Sequence, residues 1–260
     1  MKDRYGREID YLRISITDRC NLRCIYCMPE EGICQTAHKE ILTYDEIRRI
    51  CRCMTTLGIK KIKLTGGEPL TRKNSAALVR MLKELPGIEK VTLTTNGILL
   101  KEQMAELAKA GIDNINISLD TLNTEAFQKI TRREGLARVL EGLKEAMKYP
   151  QIGLKINCVP VLEDPENLIN LAGIAKDNPI HVRFIEMMPI GYGKEFRFCG
   201  EDEICFVLEG AYGKMTPITE KYGNGPCHYY KISGFQGKIG FISAMTHKFC
   251  SQCNRVRMTS

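Results

Sequence analysis

Over the first 190 residues the apolar positions switch repeatedly between a period of two and a period near 3.6. The stretch YLRISIT sets Leu12, Ile14 and Ile16 on one side and Arg13 and Ser15 on the other, the alternation of a half-buried strand. TYDEIRRICRCMTTLG opens on a capping box, Thr43 to Glu46. It carries Ile47, Ile50, Cys51 and Met54 at helical spacing and is closed by Gly58. KKIKLT then predicts a strand, 74–85 a helix, KVTLTT a strand, and KEQMAELAKAG a helix ended by Gly111. IDNINIS predicts a strand, 124–149 a helix, IGLKINCV a strand, PENLINLAGIAKD a helix and IHVRFIE a strand. Six strands joined by helical crossovers predict an α/β body with a parallel sheet and right-handed connections, either an open doubly wound sheet or a partial barrel. After Pro189 the texture changes: Gly, Tyr and Pro become frequent, and CHYYKISGFQGKIGFISA predicts a hairpin around 234–237. The division expected is a body over 1–189 and a C-terminal α+β extension over 190–260, packed on that body.

The polar residues of the body concentrate where its strands end. The first strand runs into Cys20, Cys24 and Cys27, the second into Gly66-Gly67-Glu68-Pro69, and the third into Thr94-Thr95-Asn96-Gly97. Ser118-Leu119-Asp120 follow the fourth, Lys155 and Asn157 fall near the end of the fifth, and Glu186 and Met188 follow the sixth. In parallel α/β folds these ends share one face, where ligands bind.

Composition narrows the chemistry. Twelve cysteines in 260 residues is a high count for a core-rich chain, and in such a chain cysteines bind metal or sit buried more often than they pair. The longest apolar runs are strand-sized, short of the roughly 20 residues of a membrane span, and no secretion signal precedes them. The expectation is a soluble cytoplasmic protein. The net charge of +7 is dispersed, tryptophan is absent and aromatics make up 7%. That excludes a base-stacking nucleic-acid platform and favours a small phosphate-bearing substrate.

CNLRCIYC is a C-x3-C-x2-C triple, rare by chance even at this cysteine frequency, whereas the bare C-x2-C of Cys250 and Cys253 is not. Three thiolates suit a structural zinc site completed by a fourth ligand, for which His38 is the nearby candidate. They equally suit three irons of a [4Fe–4S] cube with the fourth iron open.

CNLRCIYC followed by GGEP resembles the signature of radical S-adenosylmethionine (SAM) enzymes. LRISITDRCNLRCIYCMP, KLTGGEPL, LTTNG, NISLDTL, RFIEMMPIG and FCSQCNRVRMTS together resemble the MoaA-type GTP 3′,8-cyclases of molybdenum cofactor biosynthesis, in order and over nearly the whole chain. The resemblance implies a partial (βα)6 TIM-like radical SAM barrel. It implies that Cys20, Cys24 and Cys27 hold a [4Fe–4S] cluster with SAM at the open iron, and that Tyr26, Gly67, Ser118 and Met188 contact SAM. Gly67 has a physical reason, since a backbone without a side chain can pair closely with the amine of SAM. It further implies that Arg13, Lys63, Thr94, Lys155, Arg255, Val256 and Arg257 bind GTP. Lysine at 63 stands where relatives often carry arginine, so charge is kept and the bidentate fork is lost. The implied reaction takes hydrogen from C3′ of the ribose, joins that carbon to C8 of guanine and yields 3′,8-cyclo-7,8-dihydro-GTP. Electrons come from a donor such as flavodoxin, and a downstream cyclic pyranopterin monophosphate synthase takes the product. A homodimer is compatible with this reading; nucleic acid and membrane are not expected partners.

The family's second [4Fe–4S] cluster uses three C-terminal cysteines. Cys250 and Cys253 match two, and the chain ends seven residues after Cys253, before the third. The expectation is a sequence cut short that binds SAM yet cyclises GTP poorly or not at all; the rival is that Cys199, Cys205 or Cys227 substitutes. Cys34, Cys51, Cys53 and Cys158 read as buried or incidental. Two other functions stand beside the cyclase: a peptide-modifying radical SAM enzyme with an auxiliary cluster, and a zinc-binding structural module.

Overall fold

The computed structural model describes residues 2–259 except 163, 198, 221 and 250–252. Six parallel strands form the body: β1 (Tyr11–Ser15), β2 (Lys61–Thr65), β3 (Lys90–Thr95), β4 (Asn114–Ser118), β5 (Gly153–Cys158) and β6 (His181–Ile185), each paired with the next. The crossovers carry α1 (Tyr44–Thr56), α2 (Ser75–Lys83), α3 (Leu100–Lys109), α4 (Thr124–Thr131), α5 (Leu136–Ala146) and α6 (Pro165–Asp177). The capping box at the start of α1 is formed: Thr43 N donates to Glu46 Oε2 at 2.7 Å and Glu46 N donates back to Thr43 Oγ1 at 3.3 Å.

One face of each strand is apolar and packs on the helices. Ile14, Ile62, Leu64, Leu93, Ile115, Ile156 and Val182 are fully buried there, each contributing about 1.5–3 kcal/mol of burial. The other face is polar. Arg13, Lys63, Thr92, Asn116, Lys155 and Arg183 point into the lumen of a partial barrel instead of filling it with branched apolar side chains. This is why the strands alternate, where sheets buried on both sides read as continuous apolar runs.

The helix expected over 124–149 is two helices. Arg132 takes a left-handed φ of 54° and Gly135 a φ of 144°, and a Cβ on Gly135 would lie 2.4 Å from Ile98 Cδ1. The break leaves the last carbonyls of α4 without helical partners. Arg23 N and Ile25 N, from the cysteine loop, take those of Thr131 and Ile130 at 2.9 Å each. The broken helix is thus a dock for the cysteine loop.

After residue 189 come α7 (Glu201–Tyr212), unforeseen from sequence, then β7 (Met215–Ile218), β8 (His228–Ile232), β9 (Ile239–Ile242) and β10 (Arg255–Met258). The expected hairpin is present as antiparallel β8–β9. These strands enter the body's own sheet. β9 pairs parallel with β6 and β10 parallel with β1, so among the described residues the ten strands run β10-β1-β2-β3-β4-β5-β6-β9-β8-β7. Among the described residues no helix is long and apolar enough to cross a membrane.

Candidate active site

The loop after β1 is held from every side. Cys27 N and Met28 N both donate to Cys24 O, at 2.9 and 3.1 Å, closing one helical turn that carries the thiols of Cys24 and Cys27. Arg132 Nη1 donates to Met28 O at 3.0 Å, and Arg23 Nη1 to Cys20 O at 2.7 Å. Gly67 N and Glu68 N donate to Thr17 O and Arg19 O, both at 2.7 Å. A Cβ on Gly66 would sit 2.4 Å from Thr17 O, and one on Gly67 would sit 2.4 Å from Arg19 O and 2.6 Å from Asp18 O. The two glycines are required by the protein's own chain: they let the β2 loop lie flat against the cysteine loop.

Glu68 is buried and fully engaged. Its Oε1 accepts from Thr95 Oγ1 at 2.7 Å and Leu70 N at 2.9 Å, and its Oε2 from Asn96 N at 2.6 Å. Burial pushes its carboxyl up, and these donors oppose that rise. Asn96, fixed in this way, donates through Nδ2 to Asn21 Oδ1 at 2.7 Å and approaches Cys20 Sγ at 3.9 Å, while Leu22 N donates to the same sulfur at 3.4 Å. Tyr26 Oη donates to Asp120 Oδ2 at 2.7 Å, and Val159 N to Asp120 Oδ1 at 2.8 Å. Burial moves Asp120 up to about 6. The end of β4 thereby grips the cysteine loop.

Burial raises the thiols of Cys20 and Cys24, so they are neutral until a metal takes their protons. Among the described residues no three His, Cys, Asp or Glu side chains converge on a point that would hold a single ion, as mononuclear zinc requires. Cys24 and Cys27 on one turn, Cys20 just before it, all three on one cavity, and N–H donors aimed at the Cys20 sulfur fit an iron–sulfur cube, whose irons take one thiolate each.

The three thiols line a cavity of about 420 Å³. Tyr26, Gly67 and Ser118, from the loops and carboxyl ends of the strands, line it together with Arg13, Lys63, Thr94, Lys155 and Arg255 from within the strands. Register explains the cluster. Arg13 stands opposite Lys63 on β2 and Arg257 on β10, and Thr94, Asn116 and Lys155 form a row across β3, β4 and β5. Burial, then Arg183, Arg13, Lys155 and Arg255, hold Lys63 well below its ordinary value. Burial and then Arg183 bring Lys155 down to about 8. Cations packed this closely in a low-dielectric lumen call for an anion.

Lys155 corrects the sequence expectation. It is halfway along β5, not near its end, because β5 begins at Gly153; deep in the lumen its ammonium donates to the Tyr222 carbonyl. Met188 is 46% exposed and does not line the cavity. Val256 pairs with Leu12, and its side chain packs on the apolar layer. Arg257 shares the face of Arg13 but is exposed beyond the cavity wall. Cys253 is half-buried near Arg7, outside the cavity lining. Cys250 and the side chain of His38 lie outside the described residues. Sequence reasoning missed Arg183, buried in the lumen with Nη2 on Asn157 Oδ1 at 2.5 Å and Nε without a hydrogen-bond partner among the described residues. Its one available signal was a charge inside the apolar strand IHVRFIE.

Comparison with known proteins places this architecture. Residues 14–173 match the radical SAM superfamily, and residues 180–260 match Molybdenum Cofactor Synthesis C. In fold, the chain resembles Streptococcus suis SuiB bound to precursor peptide SuiA, with a TM-score of 0.67 and 22% identity over 79% of this chain and 46% of that one. It also resembles coproporphyrinogen III oxidase from Escherichia coli, with a TM-score of 0.53 and 14% identity over 78% and 52%. The chain spans about half the length of these two structures. Barrel, thiol turn and glycine-seated loop define a radical SAM protein. In sequence it is 45% identical to GTP 3′,8-cyclase of Clostridium perfringens (strain 13 / Type A), over 100% of this chain and 80% of the relative. It is 46% identical to GTP 3′,8-cyclase of Peptoclostridium acidaminophilum, over 99% and 80%. The chain belongs to the GTP 3′,8-cyclase family.

Proposed function

We propose that this chain is a radical SAM GTP 3′,8-cyclase, making 3′,8-cyclo-7,8-dihydro-GTP in the first step of molybdenum cofactor biosynthesis. The observation that carries the reading is the stack of thiol turn over cationic lumen, in one cavity, in a member of this family. Cys20, Cys24 and Cys27 would hold a [4Fe–4S] cluster, with Tyr26, Gly67 and Ser118 beside SAM. When bound, that pair supplies the one-electron chemistry that opens the C3′–H bond.

The protein's share is binding and orientation. Arg13, Lys63, Lys155, Arg183 and Arg255 take the triphosphate. Guanidinium forks pair phosphate oxygens two at a time, and Lys63 contributes a point charge. Thr94 and Asn116 add neutral donors, with Asn116 Nδ2 already on Thr94 Oγ1 at 3.3 Å. Fixing the phosphates deep in the lumen leaves the ribose toward the thiols, and the closed apolar layer behind the strands keeps bulk water out. Arg257, exposed at the rim, meets the anion on entry.

Further roles in this proposal are a second cluster at Cys250 and Cys253, a flavodoxin-like electron donor and a downstream cyclic pyranopterin monophosphate synthase. The body over 1–189 carries SAM, and the extension over 190–260 completes the nucleotide cavity. All the cysteines among the described residues are free, which suits a reducing compartment such as the cytoplasm.

The test is anaerobic reconstitution with iron and sulfide, then SAM cleavage with GTP and with ATP. Cleavage that depends on GTP, with a C3′–C8 product, is expected; GTP-independent cleavage without a cyclised nucleotide would refute the reading.

The lumen adds a pH dependence. Lys155 sits at about 8 in the free protein, and bound phosphate raises it. Between those two values the complex holds a proton that the free protein lacks. GTP affinity is therefore full below pH 8 and falls as pH rises toward 9, by up to about tenfold per unit. Equilibrium binding at pH 7 and 9 checks it. Lys155→Arg, charged throughout, is expected to remove the Lys155 share of the dependence and to leave that of Lys63, which is also held below its ordinary value; a wild-type profile that is already flat would count against it.

A further inference from the structure

Two buried carboxylates play no part in the cavity. Glu186, just past β6, is 4% exposed, and Glu201, the first residue of α7, is 3% exposed. Burying a carboxylate is costly unless donors surround it, and here they do. Glu186 Oε2 accepts from Met245 N at 2.8 Å and Thr246 N at 3.1 Å, and its Oε1 from Thr246 Oγ1 at 2.5 Å and Glu201 N at 3.3 Å. Glu201 Oε1 meets His228 Nε2 at 2.6 Å and Tyr230 Oη at 3.1 Å, while its Oε2 accepts from Ser243 Oγ and lies 3.3 Å from His247 Nδ1.

Most of these donors come from one short stretch, residues 243–247. That stretch leaves β9, at the β6 edge of the barrel, and the chain next forms β10 at the opposite edge, beside β1. There it is pinned again: Asn254 Nδ2 donates to Asp10 Oδ1 at 2.6 Å, and Tyr11 N to Asn254 O at 3.3 Å. Between the two anchors, Phe249 forms part of the cavity wall, and Arg255 enters the cavity just after the second. The side chains of residues 245–248 are exposed, His247 N donates to Ser243 O at 3.2 Å, and Lys248 takes a left-handed φ of 33°.

We propose that Glu186 and Glu201 are positioning residues: a paired carboxylate anchor that holds residues 243–247 as the chain leaves β9 and so places Phe249 against the nucleotide. The proposal rests on the GTP reading for its ligand. The anchor acts through hydrogen bonds to residues 243–247, and neither carboxylate lines the cavity that holds Cys20, Cys24 and Cys27. Loosening it therefore weakens nucleotide binding and frees residues 245–249, while the SAM side keeps its properties.

The test is made on the donor side, where folding is least at risk. The full chain carrying Thr246→Val, and separately Ser243→Ala, is compared with the parent and with Thr246→Ser. Trypsin cleavage after Lys248 is expected to quicken about fivefold in Thr246→Val, one hydrogen bond's worth of local opening, with GTP affinity falling by a similar factor. Thr246→Ser, which keeps the hydroxyl, is expected to restore both. The electron paramagnetic resonance signal of the reduced, SAM-bound cluster should stay parental throughout. Parental cleavage rates in both Thr246→Val and Ser243→Ala overturn the proposal, and so does an acceleration that Thr246→Ser fails to reverse. Cleavage is read without nucleotide, so a chain that shows the shift yet binds no GTP counts against the proposed function and not against the anchor.

Discussion

Cys24→Ala, reconstituted anaerobically, is expected to lose the N-terminal cluster and to cleave SAM at least about 1000-fold more slowly than the parent. That exceeds the 10–100-fold typical of losing an outer-sphere partner of a metal site. The turn itself should survive, because Cys24 contributes to it through its backbone carbonyl, which accepts from Cys27 N and Met28 N whatever the side chain. The variant therefore separates ligation from folding: iron per chain falls by about four, and the melting temperature of the metal-free protein stays near that of the metal-free parent. Full iron content together with parental SAM cleavage would remove Cys24 from the ligand set, and the reading of the thiol turn with it.

Arg183→Ala should weaken GTP binding by about 2–5 kcal/mol, the range for truncating one member of a buried charge-assisted contact, or roughly 30- to 4000-fold in Kd. Three features make this position costly. It is 6% exposed, so its charge is little screened. Its Nη2 is already oriented by Asn157, so little order is lost on binding. Its Nε is buried and has no hydrogen-bond partner among the described residues, so a phosphate oxygen there would satisfy it. Arg183→Lys should recover only a minor part, because an ammonium cannot present the fork. SAM binding, governed by the mouth, should not change. Anaerobic equilibrium dialysis with GTP and SAM reads both, and an unchanged GTP Kd in Arg183→Ala would mean that the triphosphate lies elsewhere.

Arg183 also marks the limit of what pattern reading could find. In the linear chain it is one charge inside IHVRFIE, indistinguishable from a solvated edge position. Its meaning comes from Lys63, Arg13, Lys155 and Arg255, which four other strands bring beside it. Lys155 was visible as a candidate, but its depth was not, since depth depends on where β5 begins relative to β4 and β6. The break between α4 and α5 escaped because helical periodicity runs on through Arg132, and its purpose, carbonyls for Arg23 N and Ile25 N, lies about 106 residues back. Gly67 was singled out for its closeness to a ligand. The structure adds a cause internal to the chain, the carbonyls of Asp18 and Arg19.

By itself the sequence determined everything that depends on neighbours within a turn or a strand. That includes the six parallel strands and most of their helices, the capping box at Thr43, the β8–β9 hairpin and the close spacing of three thiols in one loop. These follow from local periodicity and from the reach of a few residues of backbone. Tertiary structure decided the rest: that β9 and β10 extend both edges of the barrel sheet, that a row of cations faces one lumen, and that Glu186 and Glu201 converge on residues 243–247. Those outcomes join positions as far apart as Asp10 and Asn254. Pairing at such a distance is set by burial and hydrogen-bond satisfaction across the whole sheet, and no local pattern encodes it.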